Sequence, residues 1–250
     1  FDAIVGYDPR DPNSASGPPG QASSTLIGGP EGRGALSLQG LKLGVPTESF
    51  VAPLDPEVRA AWQAALLVLK EEGAEVGDVD VQHPIMQTYR TIQMPEASLA
   101  HMEKGWLSER LEAYGETTRA RLLQGQIIPA VDYLRAQHER RIFSSNLRAV
   151  MQGVDALVLP TLPVPAILRE QIYQDISIDG VAENATAALL RLTYPFNLAG
   201  LPAISLPCGF TANGLPIGLQ VVGKPFEETM VLRIAHAYQQ LTDWQRRESC

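Results

Sequence analysis

Side chains able to do chemistry are few in this sequence and poorly spaced for it. Of the two cysteines, Cys208 and Cys250, Cys208 lies in Leu206-Pro207-Cys208-Gly209. A nucleophilic thiolate needs a base or a cation beside it, and no histidine is nearer in sequence than His236. A buried structural thiol is the better reading. The histidines are His83, His101, His138 and His236. None lies four residues from another or beside a Cys-x-x-Cys, so no metal is expected. No Gly-x-Ser-x-Gly elbow occurs. Ser23-Ser24 and Ser144-Ser145 lack a glycine context, and the second pair falls inside an expected helix. Gly28-Gly29-Pro30-Glu31-Gly32 has no Lys-Ser/Thr after it and is not a phosphate loop. Glu71-Glu72 and Glu227-Glu228 sit at helix ends, solvated and not paired for acid–base work. His138-Glu139-Arg140-Arg141 reads as a solvated helix face. Arg119 and Arg121 lie two apart on a helix and face different ways. One could enter a cleft, or both could lie on the surface. No self-contained active site, metal or cofactor emerges from the residues alone.

The elements that would position such groups must come from 250 residues, 45% hydrophobic and 19% charged. That is a globular balance with enough apolar material for a sizeable core. The net charge of -8 speaks against nucleic acid as a general partner. No apolar run is long enough to span a bilayer. Two cysteines are no disulfide framework, so a reducing, cytoplasmic setting is expected. The chain opens on Phe1, which fits a processed or truncated product.

Residues 8–37 are rich in Pro, Gly, Ser and Asp, and residues 1–40 read as an extended connecting segment. A strand at 41–46, a helix from the Asp55-Pro56 cap to Gly73 and a strand at 75–81 form a βαβ unit with parallel pairing. Three helices follow, at 84–104, 108–126 and 129–151. Pro95 kinks or breaks the first. The third carries apolar residues at Val131, Leu134, Ile142, Leu147 and Val150. Residues 154–159 are a buried strand that feeds a Pro-Thr-Leu-Pro loop. Residues 168–182 read as irregular, and a helix over 184–194 must end near Pro195. Strands at 203–207 and 215–222 flank Asn213-Gly214, a hairpin signal. An amphipathic helix at 226–242 closes the chain. The fold class is therefore α/β, a mixed β-sheet covered by helices.

Three segments carry a resemblance. The strongest runs Tyr194-Pro195-Phe196-Asn197-Leu198-Ala199-Gly200-Leu201-Pro202-Ala203-Ile204-Ser205-Leu206-Pro207-Cys208-Gly209, then Gly214-Leu215-Pro216-Ile217-Gly218-Leu219-Gln220-Val221-Val222-Gly223. The others are Val154-Asp155-Ala156-Leu157-Val158-Leu159-Pro160-Thr161, and Gly6-Tyr7-Asp8-Pro9-Arg10-Asp11-Pro12 followed by residues 41–46. Together they resemble the C-terminal portion of the amidase-signature hydrolases. Residues 41–250 then form the C-terminal part of one amidase-signature domain, with a partial mixed sheet. Within the motif, Gly218 inside a strand suggests close backbone approach.

The family uses a Ser–cis-Ser–Lys triad, and the resemblance places it upstream of Phe1. No Gly-Gly-Ser-Ser-Gly segment occurs here, and Lys42, Lys70, Lys104 and Lys224 accompany none. No catalytic residue is carried over. The resemblance does imply substrate-pocket positions: Arg121 on one helix, and Thr186, Leu190 and Tyr194 on the helix before Pro195. In the glutamine-dependent tRNA amidotransferase branch an Asp binds the substrate amine where Leu190 stands here, which favours a less polar amide. The expected function is a cleft wall for a small-molecule amide, catalytically incomplete by itself. The alternatives are a fragment of a tRNA-dependent amidotransferase of the A type, or a non-enzymatic module that could pair as a homodimer to cover exposed sheet edges.

Overall fold

A computed structural model describes residues 7–10, 37–84 and 86–247. Ser23-Ser24, the Gly28–Gly32 loop, Cys250 and most of the expected connecting segment lie outside the described residues. In chain order the elements are β1 (Lys42–Pro46), α1 (Glu48–Val51), α2 (Pro56–Glu71), β2 (Glu75–Val79), α3 (Met86–Glu103), α4 (Trp106–Glu109), α5 (Glu116–Gln126), α6 (Ala130–Met151) and β3 (Ala156–Pro160). They continue with β4 (Asp175–Ile178), β5 (Val181–Asn184), α7 (Ala185–Arg191), α8 (Tyr194–Ala199), β6 (Ala203–Phe210), β7 (Pro216–Gly223) and α9 (Glu228–Leu241). The chain divides into two compact units, one of residues 1–81 with 148–250, the other of residues 82–147.

The first unit is built on a five-stranded mixed sheet in the order β2-β1-β3-β7-β6. β1 runs parallel to β2 and β3, while β7 is antiparallel to both β3 and β6. The parallel β1–α2–β2 unit matches the expectation from sequence. Its helix starts where Asp55 accepts the backbone N–H of Glu57 at 2.8 Å, with Pro56 in the first turn. That cap satisfies a donor the helix cannot satisfy itself. The helix gives way at Gly73, whose φ of 92° suits glycine alone. β3 is central, and Ala156, Leu157, Val158 and Leu159 are all fully buried. A continuous apolar run is what a strand covered on both faces requires. Asp155 anchors its start: the carboxylate accepts Lys42 N–H at 2.8 Å, and the Asp155 N–H donates to the Lys42 carbonyl at 2.6 Å. Gln220 is buried on β7 and donates to the Leu192 carbonyl at 2.9 Å, fixing the α7–α8 junction to the sheet.

Two expectations in this unit need correction. Residues 168–182 are not irregular, because β4 and β5 form an antiparallel hairpin from Asp175↔Asn184 to Ile178↔Val181. Its two-residue turn is Asp179-Gly180, both with positive φ, the mirror-image turn that matches strand twist. Pro195 does not close the preceding helix either. α7 ends at Arg191, and Pro195 stands in the first turn of α8, where its missing N–H leaves nothing unsatisfied.

Arg191, at the end of α7, holds much of this unit in place. Its Nε donates to Glu183 on β5 at 3.1 Å. Its Nη1 donates to the carbonyls of Val51 at 2.8 Å and Ala52 at 3.0 Å, and Nη2 to that of Pro53 at 2.7 Å. Both side chains of the ion pair are largely buried, 13% and 18% exposed. Burying a guanidinium is costly unless its donors are met, and here four of its five N–H groups are met, by one carboxylate and three carbonyls.

The second unit is helical. α3 continues through Pro95 without a break. The helix expected over 108–126 is instead α4, a 3-10 turn at Leu111–Ala113 and α5. Gly115, the N-cap of α5, falls within the expected span, and Gly105 stands at the N-cap of α4. α3 meets α5 closely: Ser98 donates to the Leu122 carbonyl at 2.7 Å. A Cβ at Gly125 would run into the Ser98 hydroxyl and the Met94 carbonyl. α6 departs most from its sequence pattern. Val131, Leu134 and Ile142 are 62%, 64% and 50% exposed, while Ala136 and Leu147 are buried, and polar side chains tie the helix to α3. The Thr88 hydroxyl donates to Glu139, and the Tyr133 hydroxyl donates to Glu96 at 2.8 Å.

Two stability outcomes follow from these contacts. Gly125→Ala should force α3 and α5 apart and destabilise the helical unit by about 1–3 kcal/mol. Hydrogen exchange should show the loss in α3 and α5 amides and none in β3. Arg191→Met should lower urea-unfolding stability by about 3–5 kcal/mol, because Glu183 is left buried without its cation. Adding Glu183→Gln to Arg191→Met should recover part of that loss. A double variant no more stable than Arg191→Met would count against the ion pair as the cause.

Candidate functional site

At the C-terminal end of β3 the sheet opens into a cleft of about 400 Å³. Thr161, the first residue after β3, donates its N–H to the Gly218 carbonyl of β7 at 2.8 Å. Its hydroxyl shares a hydrogen bond of 2.6 Å with the Ser205 hydroxyl on β6. The two can approach because nothing projects from Gly218 between them. A Cβ there would lie 2.8 Å from Thr161 Oγ1 and 3.0 Å from Ser205 Oγ. The close approach expected at Gly218 is therefore real, and its partners are these hydroxyls. The register of β6 on β7, Ser205↔Gln220 and Pro207↔Gly218, fixes the serine's place.

The other walls are apolar: Val58 at the start of α2, then Leu162, Val164, Leu206 and Ile217. The loop that carries Leu162 and Val164 is held by Asp55, whose N–H donates to the Pro163 carbonyl at 2.9 Å. Asp55 lies two residues beyond the last of the carbonyls that Arg191 grips, so one guanidinium helps set both the α2 start and the cleft loop. No Lys, His, Asp or Glu lines the cleft among the described residues. Chemically it can hold an apolar group and exchange hydrogen bonds through two hydroxyls. It offers no base to activate a nucleophile.

The chemistry-bearing residues singled out from sequence are distributed elsewhere. Arg121 is exposed on α5 in the helical unit. Thr186, Leu190 and Tyr194 lie in the sheet unit. The Thr186 hydroxyl donates to the Ile172 carbonyl at 2.6 Å, and Leu190 is half-buried. Tyr194 is buried, 3% exposed, and burial pushes its hydroxyl pKa up to about 12. None of the four lines the cleft beside Thr161. Sequence reasoning passed over Thr161 and Ser205 as members of that site. Gly218 was the available signal, since a glycine inside a strand marks something approaching its backbone. Arg119 pairs with Glu112 on the surface. Among the described residues no group of three or more His, Cys, Asp or Glu could hold a metal ion. No helix among them is long and apolar enough to cross a membrane.

The family model for amidases matches residues 1–232. The chain belongs to the amidase family. An amidase of Pseudomonas putida is 37% identical over 247 residues, covering 98% of this chain and 50% of that protein. The A-type subunit of glutamyl-tRNA(Gln) amidotransferase from Chloroflexus aggregans is 35% identical over 270 residues, covering 99% of this chain and 52% of that protein. The crystal structure of a bacterial aryl acylamidase of the amidase-signature enzymes superposes with a TM-score of 0.77 at 22% identity, over 98% of this chain and 50% of that one. The last likeness shows the fold. The chain spans about half the length of the curated relatives it matches. The mixed α/β architecture and the amidase-signature resemblance read from sequence are thus in place.

Within this amidase-family fold, Cys208 is a core residue. It is 2% exposed, and burial pushes its thiol pKa from 9.0 up to about 12. The folded state therefore holds the proton that the unfolded state would release. The stabilisation is complete below pH 9 and fades as pH rises towards 12. In a Cys250→Ser background at about pH 8, below both thiol pKa values, Cys208 should resist an aromatic disulfide reagent until urea unfolds the protein. Rapid labelling of the native protein would contradict the burial.

Proposed function

We propose that this chain supplies one wall of the substrate cleft of an amide-bond hydrolase, with the reacting groups outside these 250 residues. The observation that carries this reading is the cleft at the end of β3. Apolar walls surround a hydroxyl pair, and the strands that build it belong to the motif carrying the family resemblance. In the family's chemistry a serine oxygen attacks the amide carbonyl and the C–N bond breaks. The leaving nitrogen takes a proton and departs as ammonia or an amine, and water then hydrolyses the acyl-enzyme. Backbone N–H groups hold the oxyanion. The present residues would hold the substrate's non-reacting part. Thr161 and Ser205 would meet its polar atoms, and Val58, Val164, Leu206 and Ile217 its apolar body. The family resemblance proposes Arg121, Thr186, Leu190 and Tyr194 as substrate positions too, none of them in the cleft at Thr161. The uncharged lining supports a neutral, largely apolar amide.

The similarity to an A-type amidotransferase chain supports a second reading. Against it stands Leu190, whose half-buried aliphatic side chain cannot pair with a substrate ammonium. Glutaminase activity that depends on tRNA and on a co-purifying partner chain would favour the amidotransferase. The outward-facing Val131 and Leu134 support association of two copies, which light scattering on the eluting protein would register as twice the chain mass.

The purified 250-residue chain should release no ammonia from simple aliphatic or aryl amides. It should nevertheless bind benzamide, with NMR shifts confined to the neighbourhood of Thr161 and Ser205. Ser205→Ala should weaken that binding by about 1 kcal/mol, the net worth of one neutral hydrogen bond. Turnover by the chain would refute its catalytic incompleteness. Benzamide shifts absent from Thr161 and Ser205 would refute the cleft assignment.

A further inference from the structure

The helical unit contains a second cavity, of about 300 Å³, which the amide reading leaves unused. One side is the face of α6 that carries Asp132, Arg135 and Glu139. At i, i+3 and i+7 these share one helix face, with the two carboxylate positions about 10 Å apart along the axis. The other side is the first part of α3, with Gln87, Thr88 and Thr91. Thr88 and Thr91 are buried, 4% and 8% exposed. The volume is at the small end of the range for ligand pockets.

The first half of α6 turns charge to this face. There Val131 and Leu134 are exposed, while Asp132, Arg135 and Glu139 line the cavity beside the buried Ala136; further along the helix Leu147 and Met151 are buried, as packing requires. Polar groups placed against a helix neighbour, at the expense of available apolar ones, are expected where a polar ligand is held.

The hydrogen bonding defines what kind of ligand fits. Thr88 commits its only hydroxyl proton to Glu139, so towards the cavity its oxygen can only accept. Glu139 carries acceptors alone when ionised. Gln87 donates an amide N–H to the Thr91 hydroxyl oxygen at 3.2 Å. At the exposed mouth Arg135 pairs with Asp132 at 3.4 Å, the side chains 68% and 43% exposed, which offsets those two charges. What remains at the floor is one negative charge beside an accepting hydroxyl. We infer that this cavity is a binding site for a small primary ammonium compound. An –NH3+ group brings three donors and no acceptor, the complement of Thr88 Oγ1 and the Glu139 carboxylate. Its alkyl part would lie along Ala136 and Ile128, which also line the space. The inference is independent of the cleft at Thr161.

The test is an NMR titration of the full 250-residue chain with n-butylammonium chloride, with sodium butyrate and butanol at equal ionic strength as controls. Butylammonium should give saturable shifts at Thr88, Thr91 and Glu139, and neither control should. Glu139→Gln preserves size and an acceptor for Thr88, and should weaken binding about tenfold or more, as expected for loss of a charge-assisted hydrogen bond. Arg135→Gln should strengthen it, since Asp132 is then released to attract the cation; a role confined to packing predicts no such gain. Glu112→Gln, elsewhere in the same unit, should change nothing. Shifts that fail to saturate, an equal response to butyrate or butanol, unchanged affinity in Glu139→Gln, or affinity not raised in Arg135→Gln would each overturn the assignment.

Discussion

The sheet unit depends on how the guanidinium of Arg191 is satisfied. A cation in so dry a place needs its donors matched, and three of its partners are backbone carbonyls of one short stretch, Val51 to Pro53. That stretch is where the chain turns from α1 into α2. Fixing it fixes Asp55, which caps α2 with its side chain and holds Pro163 with its N–H. The loop after β3 therefore takes its position from a residue distant in sequence, on α7. Glu183 completes the arrangement by tying the β4–β5 hairpin to the same cation. Such a device contributes little net stability, because desolvation offsets attraction. What it supplies is definition: it adds a polar tether to a loop whose Val164 is also packed against Ile178 and Ala188.

The cleft that results is a product of registers as much as of side chains. β7 runs antiparallel between β3 and β6, so its Gly218 faces the end of one neighbour and the middle of the other. Thr161 and Ser205 reach each other only because that position carries no side chain. The nearby hairpin loop obeys a similar economy. Gly214 alone has positive φ, and Gly214 N–H donates to the Thr211 carbonyl at 2.9 Å, a type I turn closed by a left-handed glycine. The Asn-Gly pair thus foretold a hairpin, although a three-residue loop makes the turn.

Much of the sheet unit was legible because its signals are local and agree with one another. Asp55-Pro56 and Gly73 bracket α2, and the apolar run at 154–159 has no other home than a covered strand. The β4–β5 hairpin was legible too, in Asp179-Gly180 between Ile178 and Val181, but its strands are four residues each. Short strands flanked by Asp, Glu and Asn carry too little alternation to stand out from a loop. Arg191 was beyond local reading altogether. A lone Arg at a helix end normally serves the dipole, and only the tertiary path of residues 51–53 reveals its carbonyl partners. Thr161 and Ser205 were hidden for the same reason: they lie on different strands and meet only through register.

The helical unit failed differently, and the failure is informative. Its helical segments were legible, although the one expected over 108–126 divides, yet the apolar residues of α6 do not all follow the premise that such residues face a core. That premise is a statement about free energy, and it holds when burial is what a helix contributes. On α6 the inward contacts are Thr88 with Glu139 and Glu96 with Tyr133, while Val131, Leu134 and Ile142 remain in solvent. Ala136, Leu147 and Met151 are buried on the same helix, so its apolar positions divide between the packed face and solvent. A sequence pattern records all the surfaces a helix must satisfy, including those offered to ligands and to other polypeptide, and it does not say which is which. In the sheet unit the core dominates that record, so the pattern reads correctly. In the first half of α6 it does not, and there Asp132, Arg135 and Glu139 take the cavity face while Val131 and Leu134 stay exposed.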